Sequence, residues 1–100
     1  MATEKDREFV LFLLESTKGG KIQWEPTAEQ NQFTTSLKGR YSAFIYKGPT
    51  LSNLFLKDDA GQELLSVSEL DISEVENLYE FVRRKTLNVD AVLNEIIRGN

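Results

Sequence analysis

Residues 33–47, Phe33-Thr34-Thr35-Ser36-Leu37-Lys38-Gly39-Arg40-Tyr41-Ser42-Ala43-Phe44-Ile45-Tyr46-Lys47, decide the fold class. Phe33, Thr35 and Leu37 alternate with Thr34, Ser36 and Lys38, the period of two that sends alternate side chains to opposite faces of a strand. Lys38-Gly39-Arg40 is short enough to be a hairpin connection into a second strand, 41–47. Gly48-Pro49-Thr50 breaks the pattern, and Leu54 and Leu56 carry a third strand. Asp58-Asp59-Ala60-Gly61 then signals another hairpin, because glycine fills the left-handed position that closes such a loop. Leu64 to Val67 forms the returning strand. Upstream, Ile22 and Trp24 alternate with Lys21, Gln23 and Glu25 until Pro26 interrupts, and residues 26–32 have loop composition. Strands joined in succession by short turns make an antiparallel meander. It has four to five members, residues 22–25 being the least regular.

Helices flank this block. Thr3 with Asp6 approximates a capping box, Glu4, Asp6 and Glu8 suit the positive end of a helix dipole, and Gly19-Gly20 supplies a stop. Between them Phe9 to Leu14 are consecutively apolar. At 100° per residue such a run wraps the whole helix, which predicts burial on more than one side. After the strands, Ser73 with Glu76 reads as a second capping box, and Val75, Leu78, Tyr79 and Val82 share one face. Glu80 is placed to pair with Arg84 one turn on, and Arg83-Arg84-Lys85 sits where a helix C-terminus favours cations. Asn88 is the expected cap of a last helix, with Val89, Val92, Leu93, Ile96 and Ile97 on one face and Gly99 at its end. The expected architecture is a single α+β domain over residues 1–100: one N-terminal helix, a four- to five-stranded antiparallel meander, and two C-terminal helices.

Composition narrows the chemistry. The 100 residues include no cysteine and no histidine. Disulfides, thiolate chemistry and cysteine zinc sites are thereby excluded, as is the usual acid–base side chain near neutral pH. The charged start, Met1-Ala2-Thr3-Glu4-Lys5-Asp6, is unlike a signal peptide, and the six-residue apolar run at 9–14 is far short of the roughly 20 residues that span a bilayer. A cytoplasmic location is the expectation. The net charge of −4 is uneven. Residues 62–100 hold Glu63, Glu69, Asp71, Glu74, Glu76, Glu80, Asp90 and Glu95 against Arg83, Arg84, Lys85 and Arg98. A surface that neutralises phosphates needs the opposite balance, so nucleic acid is not an expected partner.

The motifs that suggest sites have simpler readings. Asp58-Asp59 is the one adjacent carboxylate pair, and a hairpin turn accounts for it. It also lacks the alternating ligands and terminal glutamate of a calcium loop. Lys18-Gly19-Gly20-Lys21 looks like an anion cradle, but its glycines follow a helix instead of opening one, and a helix C-terminus repels anions. No serine lies in a nucleophile elbow. A strand, helix, short turn and helix over 64–97 match the element order of ribbon-helix-helix DNA-binding regulators. That alternative requires basic residues on the strand, and 63–69 carries glutamate at both ends. No cofactor, metal or small-molecule ligand is expected.

The strand 41–47 is apolar on both faces: Tyr41, Ala43 and Ile45 on one, Phe44 and Tyr46 on the other. Phe55 opposes the side of Leu54 and Leu56 in the same way. Two arrangements satisfy this pattern. Either the N-terminal helix covers Phe44, Tyr46 and Phe55, or all helices lie on one side and these rings form an exposed patch, as interfaces do. The candidate interface residues are therefore Phe44, Tyr46, Phe55 and, from the apolar run of the first helix, Phe12.

Gly20-Lys21-Ile22-Gln23-Trp24-Glu25-Pro26-Thr27, Leu56-Lys57-Asp58-Asp59-Ala60-Gly61 and Leu78-Tyr79-Glu80-Phe81-Val82-Arg83-Arg84-Lys85 running into Leu87-Asn88-Val89-Asp90 resemble a group of small uncharacterised bacterial proteins of similar length. The resemblance covers most of the chain and implies no catalytic or binding residues, since its motifs are a strand entry, a hairpin and a helix junction. The expected function is a non-enzymatic protein-binding or regulatory module, with a protein or a second copy as partner and a homodimer as one form. No membrane partner is expected.

Overall fold

The computed structural model describes residues 2–99. Helix α1 (Glu4–Lys18) leads into five strands: β1 (Glu25–Pro26), β2 (Gln32–Leu37), β3 (Tyr41–Lys47), β4 (Ser52–Lys57) and β5 (Glu63–Ser68). Helices α2 (Glu74–Thr86) and α3 (Val89–Gly99) follow. The strands form one antiparallel sheet in sequence order, β1 to β5. The expected α+β class and meander are both present.

Turn chemistry sets the register. Lys38 and Gly39 adopt consecutive positive φ values of 58° and 67° within the three-residue connection 38–40, across which Leu37 faces Tyr41 and Phe33 faces Ile45. In the next hairpin the Asp58 carboxylate accepts the backbone N–H groups of Ala60 and Gln62 at 3.0 and 2.9 Å, and Gly61 takes φ 83°. The register slips by one residue between Leu56 and Lys57, which leaves Leu64 as the extra residue of a bulge.

One face of the sheet carries the core. Phe33, Ala43, Ile45, Leu54 and Val67 pack there against Val10, Leu13 and Leu14 of α1, Trp24, Ile72, and Val75, Leu78, Tyr79 and Val82 of α2. The two helices run parallel. Arg7 bridges to Glu74 at 2.7 Å near their N-termini, and the Lys85 ammonium donates to the Thr17 carbonyl at 2.9 Å near their C-termini. Beneath that end, the buried Trp24 indole N–H donates to the Thr17 hydroxyl at 2.9 Å, which itself donates to the Leu13 carbonyl at 2.7 Å.

Five local expectations change. Glu80 pairs with Arg83 at 3.5 Å instead of Arg84, whose guanidinium turns to Asp90. The strand expected at 22–25 shrinks to two residues and includes Pro26. The cap of α1 explains this: Gly20 turns to φ 76°, and the N–H groups of both Lys21 and Ile22 donate to the Ser16 carbonyl. Those residues are committed to the helix end, and Pro26 is tolerated because β1 is a sheet edge that has no use for its missing N–H. Ser73 makes no side-chain cap, since it is already helical at φ −59°, ψ −29°. The Thr3–Asp6 capping box does form, in both directions. Asn88 closes α2 at φ 57° rather than capping α3 with its side chain, although its carbonyl accepts the Val92 N–H. Finally, α1 is covered on one side only. Val10, Leu13, Leu14 and Thr17 are buried, whereas Phe12 is 56% exposed.

Trp24→Phe retains most of the ring but deletes the bond to Thr17. Loss of a buried hydrogen bond predicts about 1–3 kcal/mol lower stability in urea unfolding. An unchanged midpoint would show that this contact does not hold α1 to the sheet.

Candidate interaction surfaces

Because α1 and α2 share one face, the N-terminal helix does not cover Phe44, Tyr46 and Phe55, which lie on the other face of the sheet. Phe44 and Phe55 are cross-strand partners and stack with centroids 4.7 Å apart and planes 13° apart. Tyr46 meets Phe55 edge-on at 5.7 Å and 71°. The Lys57 ammonium lies 5.7 and 5.4 Å from the Phe44 and Phe55 centroids. All three rings are half-buried. Stacked side by side, they turn faces to each other and to a cation, so much of their apolar area is already covered. A planar ligand would have to compete with those contacts.

Phe12 does not join them. It lies in the helical layer, on the flank of α1 away from α2, and borders a groove of about 400 Å³ lined by Phe9, Phe12, Ile22, Leu37, Tyr41 and Leu56, with Ser36 and Lys38 at its edge. Apart from the serine, the lysine and the tyrosine hydroxyl, the lining is apolar. The Arg40 guanidinium sits beside it, donating to the Tyr41 hydroxyl and stacking 5.1 Å from that ring.

Among the described residues, four of the eight large exposed hydrophobic side chains fall on α3, along the face that its spacing defines. None of its residues is buried, and Val92, Leu93 and Ile97 are 47, 45 and 74% exposed, with Ile96 on the same stripe. Leu87, in the junction with α2, is also exposed. Helical spacing identified the stripe correctly. Nothing in that spacing says whether the stripe meets the chain's own core or another surface.

The fold also brings together two carboxyl groups far apart from the Asp58-Asp59 pair. The Glu69 carboxylate accepts the Ser52 backbone N–H at 2.6 Å and hydrogen-bonds with the Glu76 side chain. The Ser52 bond, then the bond from Glu76, holds Glu69 below the usual carboxylate range, whereas the bond to Glu69 and that group's charge raise Glu76. A shared proton of this kind is a feature of some carboxylate active sites. Here neither group is enclosed: Glu69 is partly exposed and Glu76 exposed, and the bond from Ser52 to Glu69 fastens the β4 entry to the β5–α2 turn. Burial raises the Tyr79 hydroxyl as well. Among the described residues no group of three carboxylates, histidines or cysteines is placed to hold a metal ion, and no helix is long and apolar enough to cross a membrane.

The carboxyl pair predicts a pH signature. Glu76, raised in the folded state, stabilises the fold in acid and loses that contribution as pH rises through its folded value. Glu69, lowered, contributes above the ordinary carboxylate range and loses it as pH falls through its folded value. Glu76→Gln should therefore raise the melting temperature at neutral pH and change it little in mild acid. A loss of stability at neutral pH would show that ionised Glu76 has a favourable partner instead.

No family model, curated protein or solved structure matches the chain.

Proposed function

We propose that this chain is a non-enzymatic protein-binding module that works by associating with copies of itself, with α3 as its docking element. One observation carries the reading: α3 is an 11-residue helix with no buried residue and its aliphatic stripe open to solvent. Isolated helices shorter than about 12–15 residues are marginal in water, because nucleation is costly and packing supplies most helical stability. A short helix that buries little against its own chain gains its order by burying that stripe elsewhere. Anchors at i, i+3, i+4 and i+7, here Val89, Val92, Leu93 and Ile96, are those of a helix that lies in a groove.

The rest of the chain supports a binding role over a catalytic one. It has neither histidine nor cysteine, its perturbed carboxyl pair is open to solvent, and its acidic C-terminal third is unsuited to phosphate backbones. For the ribbon-helix-helix alternative, β5 would be the DNA-reading strand, and it is bonded along one side to β4 with glutamate at its start.

Size exclusion with light scattering tests the proposal. Wild type should elute as a dimer or higher oligomer at micromolar concentration, and Val92→Glu/Ile97→Glu as a folded monomer whose circular dichroism loses no more than the α3 share of the helical signal. A wild type that is monomeric throughout, or a double variant that still associates, would overturn it.

A further inference from the structure

We infer that α3 of one copy seats in the Phe9–Phe12 groove of a second copy. The inference rests on the reading of α3 as the docking element and names what receives it.

Charge selects the groove. Around α3, at 100° per residue, Asp90 and Glu95 fall on opposite flanks of the Val92–Leu93–Ile97 stripe, and Arg98 falls on the far side of the helix. The stripe is thus edged by carboxylates. Asp90 already has Arg84 as its partner, while Glu95 makes no ion pair among the described residues. Pairing α3 with the α3 of another copy would set acidic edge against acidic edge and leave Arg98 turned away. The groove has the complementary order. Its floor is Phe9, Phe12, Ile22, Leu37 and Leu56, and its cations are Lys38 at the edge with Lys21 and Arg40 adjoining the lining residues Ile22 and Tyr41. None of these three makes an ion pair among the described residues. The acidic neighbour Glu8, beside Phe9, is already paired with Lys5 at 3.3 Å. The open sheet face offers less, since its rings cover one another and Lys57 is already placed over two of them.

The arrangement is intermolecular. In its own chain α3 follows α2 after only Leu87 and Asn88 and meets α2 without burying any residue, and no α3 residue lines the groove. If each of two copies gives its helix and receives the other's, the contact closes with two-fold symmetry and uses both exposed apolar surfaces at once.

Complementation between two variants provides the test. Phe12→Glu destroys the groove and keeps the helix; Val92→Glu/Ile97→Glu destroys the helix and keeps the groove. Each alone should be monomeric. Mixed in equal amounts they should form a heterodimer, weaker than the wild-type dimer, because one intact helix meets one intact groove. If the helix variant is monomeric but Phe12→Glu still dimerises, or if the mixture stays monomeric, the groove is not the receptor although α3 remains the docking element. If the helix variant itself still dimerises, the role of α3 falls with it. Should Phe12→Glu unfold, Lys38→Glu on the exposed hairpin replaces it. That change should weaken dimerisation about 2- to 5-fold, as expected for an exposed ion pair, and Glu95→Lys on the same chain should restore it. Failure of Glu95→Lys to restore the affinity would count against the groove.

Discussion

Thr17 stands where the sheet entry and both long helices meet. Its hydroxyl takes the indole N–H of Trp24 and returns a bond to the Leu13 carbonyl, and its own carbonyl receives the Lys85 ammonium. These bonds fix the C-terminal end of α1 beside that of α2 and above the strand entry. With Arg7 and Glu74 joining the other ends, α1 has no freedom to reach the opposite side of the sheet. Every later feature of the surface follows from that one-sided layer.

A sheet covered on one face must make its other face tolerable in water, and β3 and β4 do so by local means. Phe44, Phe55 and Tyr46 stack on one another, and Lys57 lays its stem and charge across two of the rings. The helical layer is less complete at its margins. Two parallel helices do not cover the hairpin end of the core, so Phe9 and Phe12 border a groove with Leu37, Tyr41 and Leu56. At the other margin α3 leaves the body of the fold with its aliphatic stripe open.

Much of this was legible in the residues. Alternation from Phe33 to Tyr46, together with glycines 39 and 61 at left-handed turn positions, marked the strands and hairpins of the meander, while the register and the bulge at Leu64 had no sequence signal. The capping box at Thr3 also formed as read. The errors share a cause, which is that a local pattern does not state which tertiary partner satisfies it. Six consecutive apolar residues suggested a helix covered all round, yet Phe12 is open because α2 lies on the far flank. Ser73 and Glu76 had the spacing of a cap, but Glu76 is engaged by Glu69, seven residues back in sequence and adjacent only through the β5–α2 turn. Residues 21–22 alternate like a strand, but the end of α1 claims their N–H groups. The interface candidates divided for the same reason: Phe44, Tyr46 and Phe55 share a face, Phe12 belongs to another, and the more exposed stripe of α3 had the same spacing as core.

The central claim is that α3 owes its order to a second copy, and amide hydrogen exchange reads this residue by residue. Protection of α3 amides should fall on dilution through the dissociation range, while amides of β3 and β4 keep theirs, because only the former depend on association. Protection of α3 that stays constant from high to low protein concentration would mean that the helix is stable on its own chain, and would contradict that claim.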